Sequence, residues 1–185
     1  MDNKTKILNV ALTFFAKEGF HGTSTAKIAK EAHVSNGALF HHFKTKEELI
    51  NKLYLMKKEE YKNYMVNNID NLEPTKKTIK QLYELCTKWH LENKNSVSFF
   101  SMFSNSPYID KLSKEEGSRN FDFLVNLIKS LITNETISNI HHELLVNTFY
   151  ASVLAIYRFL LVYPENINEN ITLSFNMWWR SVVNI

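Results

Sequence analysis

Apolar residues recur along the chain mostly at three- and four-residue intervals, the period of a helix with one buried face. In "TKILNVALTFFAKEGF" the residues Ile7, Ala11 and Phe14 share a face, with Leu8, Leu12 and Phe15 beside it. Gly19 can take the left-handed conformation that stops a helix, and Phe20 supplies the apolar residue that folds back over such a stop. After a loop through Gly22, Ser24 or Thr25 can cap a second helix of about two turns that carries Ile28, Ala29 and Ala32 inward. A break at His33 and Val34 precedes Ser35, another cap, and a short third helix that turns Leu39 and Phe43 to the core. Thr45 with Glu48 three residues on forms a capping box, opening a long fourth helix that runs to about Asn67.

Beyond the polar turn "NNIDNLEP", Pro74 suits the first position of a helix through Trp89 and His90. Further helices are expected over Val97 to Phe103, Tyr108 to Ser130 with room for a break near Gly117, Glu135 to Tyr163, and Asn168 to Val183. With only 4 glycines and 3 prolines in 185 residues, the fold class is all-α with about nine helices. The two short helices and their tight turn, about 24–43, make a helix-turn-helix within an N-terminal domain of residues 1–60, and residues 61–185 form a larger helical domain. The stretch Leu144 to Tyr163 approaches membrane-spanning length, but Asn147, Ser152 and Arg158 interrupt it, so a buried interface helix is expected and no membrane association. The lone Cys86 cannot form an internal disulfide and no leader pattern opens the chain, which points to a cytoplasmic protein.

Charge then separates the two parts. Residues 1–46 hold seven lysines against three acids, whereas the remainder holds 15 basic and 16 acidic residues. Four of the seven histidines, His21, His33, His41 and His42, also fall in this first part. A basic end suggests an anionic partner. In "SNGALFHHFKTKEEL" the third helix begins with Asn36, Gly37 and Ala38, small residues of the kind that let a helix bring its first turn against base edges in a major groove. Ser35 can cap that helix and offer its hydroxyl to a phosphate, and His41 and His42 lie further along the exposed side. Lys46 places a cation where the helix dipole is positive, a conflict that a bound phosphate would remove.

From Lys6 to Leu49, through "ILNVALTFFAKEGF" and "TSTAKIAKEAHVSNGALFHHFKTKEEL", the sequence resembles the TetR family of bacterial transcriptional regulators without a gap. The resemblance implies a homodimer bound to double-stranded DNA at a palindromic operator, and a small-molecule effector bound by the larger domain, which would also form the dimer. It implies that Thr23, Ser24 and Thr25 anchor a phosphate. Ser35, Asn36, Gly37, Ala38, Leu39, Phe40, His41 and His42 match the recognition helix, and Lys44 and Lys46 complete the DNA-contacting set, Lys46 as the family's phosphate-binding lysine. Two positions depart from the family pattern. His33 stands where glycine is usual in the turn, and Phe40 replaces the common tyrosine, removing one phosphate hydrogen bond.

In the larger domain most aromatic residues are core. An excess of them with a few polar residues could line a pocket, formed by Cys86, Trp89, His90, Phe99, Met102, Phe103, Phe121, Asn147, Tyr150, Tyr157 and Arg158. Arg158, inside a nearly apolar helix, reads as an anchor for an anionic or carbonyl-bearing ligand or as a surface arginine paired with an acid. A stripe of Thr148, Ser152, Ala155 and Phe159 with an apolar face of Ile171, Phe175 and Trp178 could build half of a four-helix dimer interface. Adjacent histidines in a helix point about 100° apart, so neither His41 with His42 nor "HHE" at His141 to Glu143 reads as a metal site. No nucleophile-base-orienter set is visible, so the expectation is a regulator without a cofactor and not an enzyme. The output could be repression, with effector-driven release, or activation. A helical adaptor that binds no DNA, and a histidine-based metalloenzyme, are the rival classes.

Overall fold

The computed structural model describes residues 2–104, 106 and 111–183. Ten helices lie among them: α1 (Asn3–Gly22), α2 (Thr25–Glu31), α3 (Asn36–His42), α4 (Lys46–Asn68), α5 (Lys76–Glu92), α6 (Lys94–Ser104), α7 (Lys111–Arg119), α8 (Asp122–Thr133), α9 (His142–Val162) and α10 (Ile167–Val182). The all-helical expectation holds, and extended backbone among the described residues pairs only in one bridge between Ile137 and Val183.

Local chemistry explains the boundaries. Asp2 caps α1, its carboxylate accepting from the Thr5 amide at 2.8 Å. Gly19, at φ 75°, interrupts the regular course of α1, and Phe20 turns back to pack edge-on against Phe15 with ring centroids 5.2 Å apart. The hydroxyls of Ser24 and Ser35 cap α2 and α3, accepting from the amides of Lys27 at 3.2 Å and Ala38 at 3.0 Å. Helix α2 ends at His33 in the left-handed region, φ 56°. The Val34 amide donates to the Ala29 carbonyl at 3.0 Å and the His33 amide to that of Lys30 at 3.1 Å, the paired bonds of a Schellman stop. Thr45 accepts from the Glu48 amide at 3.0 Å, and the Glu48 carboxylate accepts from the Lys44 amide at 2.7 Å, so the capping box reaches one residue further back than the reciprocal form.

Three boundaries differ from the sequence expectation. Pro74 precedes α5 instead of opening it, because Thr75 takes the cap and accepts from the Thr78 amide at 3.1 Å. The expected helix over 108–130 divides at Asn120 and Phe121, and Gly117 lies inside α7. There a Cβ would stand 2.4 Å from Tyr54 Cε1, so that glycine serves a close approach of helices and not a break. The expected start of that helix, residues 108–110, lies outside the described residues. Helix α9 begins at His142 and not at Glu135, since Glu135 has φ 55° and, with Thr136, closes α8 by a second Schellman stop.

The chain divides into two compact units. The first comprises Met1–Glu60 and Asn93–Ser118. Its core joins Ile7, Ala11 and Phe15 of α1 to Ile28, Leu39, Phe43 and Leu53, with Phe99 and Phe103 from α6. Phe15 stacks on Phe99 at 6.4 Å and Tyr54 on Phe103 at 4.0 Å. The Ser98 hydroxyl donates to the Ala16 carbonyl at 3.2 Å, fastening α6 along α1.

The second unit comprises Tyr61–Glu92 and Arg119–Ile185. Its core packs Ile79, Leu82 and Tyr83 of α5 with Leu124 and Ile128 of α8, Phe149, Val153 and Leu160 of α9, and Ile171, Phe175 and Trp178 of α10. Each such side chain contributes about 1.5–3 kcal/mol of burial. The fully buried Tyr83 places its hydroxyl 2.7 Å from both Ser152 Oγ and Ser174 Oγ, so one bond network ties α5, α9 and α10 together. Helix α9 is long and apolar enough to cross a membrane by length and composition, but its Phe149, Val153 and Leu160 form this core.

Candidate nucleic-acid interface

Leu39 and Phe43 are wholly buried and hold α3 by its inner face. That anchoring leaves Ser35, Asn36, Gly37, Phe40 and His41 exposed, with Ala38 and His42 half-buried and Lys44 exposed beyond the helix. Thr23 is buried, and its hydroxyl donates to the Gly19 carbonyl at 2.9 Å, closing the end of α1. The outward positions at the start of α2 are Ser24 and Thr25. Because Ser24 and Ser35 cap by accepting, each hydroxyl keeps its own proton to donate, which suits a phosphate oxygen.

Gly37 is not required by the protein's own structure. Its φ is not in the left-handed region, and a Cβ built there meets nothing nearer than Ser35 Oγ at 3.8 Å. Alanine would fit and would favour the helix by about 0.5–1 kcal/mol. A residue that weakens its own helix, exposed on the outer face, has its reason in something that approaches from outside.

Lys46 resolves its conflict with the helix dipole internally. Its ammonium donates to the backbone carbonyl of Phe20, and partial burial pushes its pKa down against the opposing pull of Glu47. One of three N–H donors is used there, which leaves two for an anion. Of the first-turn amides of α4, that of Glu48 is taken by Thr45, while those of Lys46 and Glu47 come before any intrahelical acceptor. Lys27 plays a different part, held by Glu18 at 2.6 and 2.8 Å and lying 4.6 Å above the Phe14 ring.

Neither histidine pair joins a wider cluster: among the described residues no three His, Cys, Asp or Glu side chains are grouped to hold a metal. The rings of His41 and His42 meet edge-on at 5.6 Å, and those of His141 and His142 stack at 4.7 Å.

In the second unit Cys86, Trp89, His90, Phe121 and Tyr157 are buried and Tyr150 half-buried. Phe121 meets Tyr150 at 5.9 Å and His90 meets Tyr157 at 5.7 Å. Asn147 and Arg158 of the expected pocket are exposed. Phe99 and Phe103 lie in the core of the first unit, with Met102 packed against it. Tyr61, absent from the sequence expectation, sits among Trp89, His90 and Phe121 at 4.4, 5.3 and 5.0 Å. Its signal is the four-residue step from Tyr61 to Met65, both buried. Of the expected dimer residues, Ile171, Phe175 and Trp178 are buried within the unit, while Thr148, Ala155 and Phe159 are exposed and Ser152 is bonded to Tyr83.

Comparison with known proteins agrees with this picture. The sequence model for "Bacterial regulatory proteins, tetR family" matches residues 7–53. The HTH-type transcriptional regulator UidR of Escherichia coli K12 is 43% identical over 56 residues, 30% of this chain and 29% of that protein. QacR of Staphylococcus aureus Mu50 is 49% identical over 49 residues, 26% of each chain. Both matches therefore span less than a third of these curated relatives. Over the whole length, the crystal structure of a tetR family transcription regulator from Shewanella sp. PV-4 superposes with a TM-score of 0.90 at 29% identity, covering 100% of both chains. With the matched DNA-binding segment at its N-terminus and this fold along its full length, the chain belongs to the TetR family of bacterial transcriptional regulators.

Proposed function

We propose that the protein is a homodimeric transcriptional repressor that binds a palindromic operator and is released by a small-molecule effector held in the second unit. The observation that carries this reading is Gly37. It is exposed, unconstrained by backbone or packing, and sits in the first turn of the helix that matches the family's recognition helix. A glycine there makes sense as clearance for base edges. Around it Ser24, Thr25, Ser35, Lys44 and Lys46 would hold phosphates, and Asn36, Phe40, His41 and His42 would face the groove.

The dimer would form through the outer face of α9 and α10. Leu144, Thr148, Ala151, Ala155, Phe159 and Val162 are spaced by three or four residues on α9 and are all exposed. Leu173 and Met177 of α10 are 54% and 74% exposed. Large apolar residues left open on two adjacent helices suit a self-complementary interface about a two-fold axis. Helix α4 carries both Lys46 and Tyr61, so an effector that prefers the conformation with lower operator affinity would act through that helix. Such a regulator works in the cytoplasm.

The test is titration of the protein against DNA from upstream of its own gene, at moderate salt, with Gly37→Ala alongside. Specific binding that weakens at least about fivefold in the variant supports the reading. No specific binding, or a variant as tight as the parent, counts against it.

A further inference from the structure

Tyr61 is 3% exposed, and no group among the described residues meets its hydroxyl in hydrogen-bond geometry, which leaves it against the weakly accepting Cys86 thiol. The polar group it feels most closely is the Cys86 thiol, whose own proton is directed at Met65 Sδ, 3.6 Å away. The Tyr61 ring itself is enclosed by aromatic walls, centroid to centroid 4.4 Å from Trp89, 5.0 Å from Phe121 and 5.3 Å from His90. An orphaned buried hydroxyl is uncommon and calls for a partner that arrives from elsewhere.

The walls also say what kind of partner fits. Nδ1 of His90 stands 2.5 Å from the Cys86 carbonyl, to which it can only donate, so that nitrogen is committed and the ring is fixed in orientation. Burial pushes the hydroxyls of Tyr61 and Tyr150 well up, and the groups that act on them electrostatically are the Cys86 thiol and, for Tyr61, Tyr150; no lysine, arginine, aspartate or glutamate contributes. Arg158, the arginine of the expected pocket, is exposed. A charged ligand would lose its hydration here with no counter-ion to replace it.

We propose that Tyr61, with Cys86, Trp89, His90, Phe121 and Tyr150, forms the binding site of an uncharged, ring-bearing small molecule whose oxygen acceptor takes the Tyr61 hydroxyl proton. This rests on the second unit being the effector unit and adds the effector's chemistry: neutral, flat, mostly apolar, with a carbonyl or ether oxygen at one edge.

The experiment compares three probes of similar size, acetophenone, ethylbenzene and benzoate, by calorimetric titration of the full chain and of Tyr61→Phe. In the parent, acetophenone binds roughly three- to tenfold more tightly than ethylbenzene, the difference one neutral hydrogen bond supplies, and benzoate does not bind. In Tyr61→Phe the two neutral probes bind alike, and the ligand-free variant melts no lower than the parent because an unsatisfied hydroxyl is gone. An acetophenone preference that survives in Tyr61→Phe overturns the proposal. So does a parent in which the two neutral probes bind equally, or in which benzoate binds as well as acetophenone; these need no variant. Operator binding by the ligand-free protein is scored separately. A protein that binds operator but shows no acceptor preference loses this proposal alone, and one that never binds operator loses the regulator reading alone.

Discussion

Gly37 separates stability from function at a single position. Nothing inside the protein uses the missing Cβ, so Gly37→Ala should raise the unfolding free energy by about 0.5 kcal/mol in urea titrations while weakening operator binding. A variant that is both more stable and equally tight would mean that no surface comes close at that turn. His33 is the converse case. It occupies a left-handed position at φ 56° that glycine fills without strain, yet its amide and that of Val34 complete the stop of α2, so the turn keeps its shape with the costlier residue. Lys46 was legible in the sequence as a cation misplaced against a dipole. Its acceptor was not, because the Phe20 carbonyl lies 26 residues away along the chain, just past the irregular turn at Gly19.

At the scale of helices, the bond network at Tyr83 is the most exposed to test. Tyr83→Phe removes the group that both Ser152 and Ser174 bond, and should lower stability by about 1–2 kcal/mol with little change in operator affinity. Burial also raises the pKa of Tyr83, its serine bonds opposing, and raises those of Tyr61 and Tyr150 well above the ordinary value. A tyrosine whose folded pKa is raised contributes stability that is complete below its unfolded value, about 10, and is lost as pH rises through the folded one. Alkaline unfolding followed by circular dichroism should therefore set in above about pH 10; an unchanged melting temperature through that range would contradict the burial of these three rings. The helices themselves could be read from their caps: Ser24, Ser35 and Thr45 all act as their positions suggested. The break before α8 could not, because glycine signals both freedom and close packing, and at Gly117 the second applies. Nor could the inner face of α10 be told from its outer one, since Ile171, Phe175 and Trp178 alternate with Ile167, Leu173 and Met177 and both sets are apolar.

At the scale of the whole molecule, residues 93–118 fall in the same unit as the helix-turn-helix, although about thirty residues of the second unit precede them in the chain. Periodicity identifies helices but not their neighbours, so the sequence could not assign Phe99 and Phe103 to the core around α1. The same limit applies to the outer surface of α9 and α10. Phe159→Glu places a charge in the proposed interface, and sedimentation velocity at micromolar concentration should show a dimer for the parent and a monomer for the variant; a dimer in both would move the interface elsewhere.

The central claim is that the face built from α2, α3 and the start of α4 holds DNA by its phosphates. Fluorescence anisotropy on upstream DNA across a salt series, for the parent and Lys46→Ala, tests it most directly. Affinity should fall steeply with salt, and Lys46→Ala should weaken binding uniformly, with a log–log slope shallower by about 1 for each Lys46 that meets a phosphate. Specific binding that is insensitive to salt, or identical slopes for the two proteins, would contradict it.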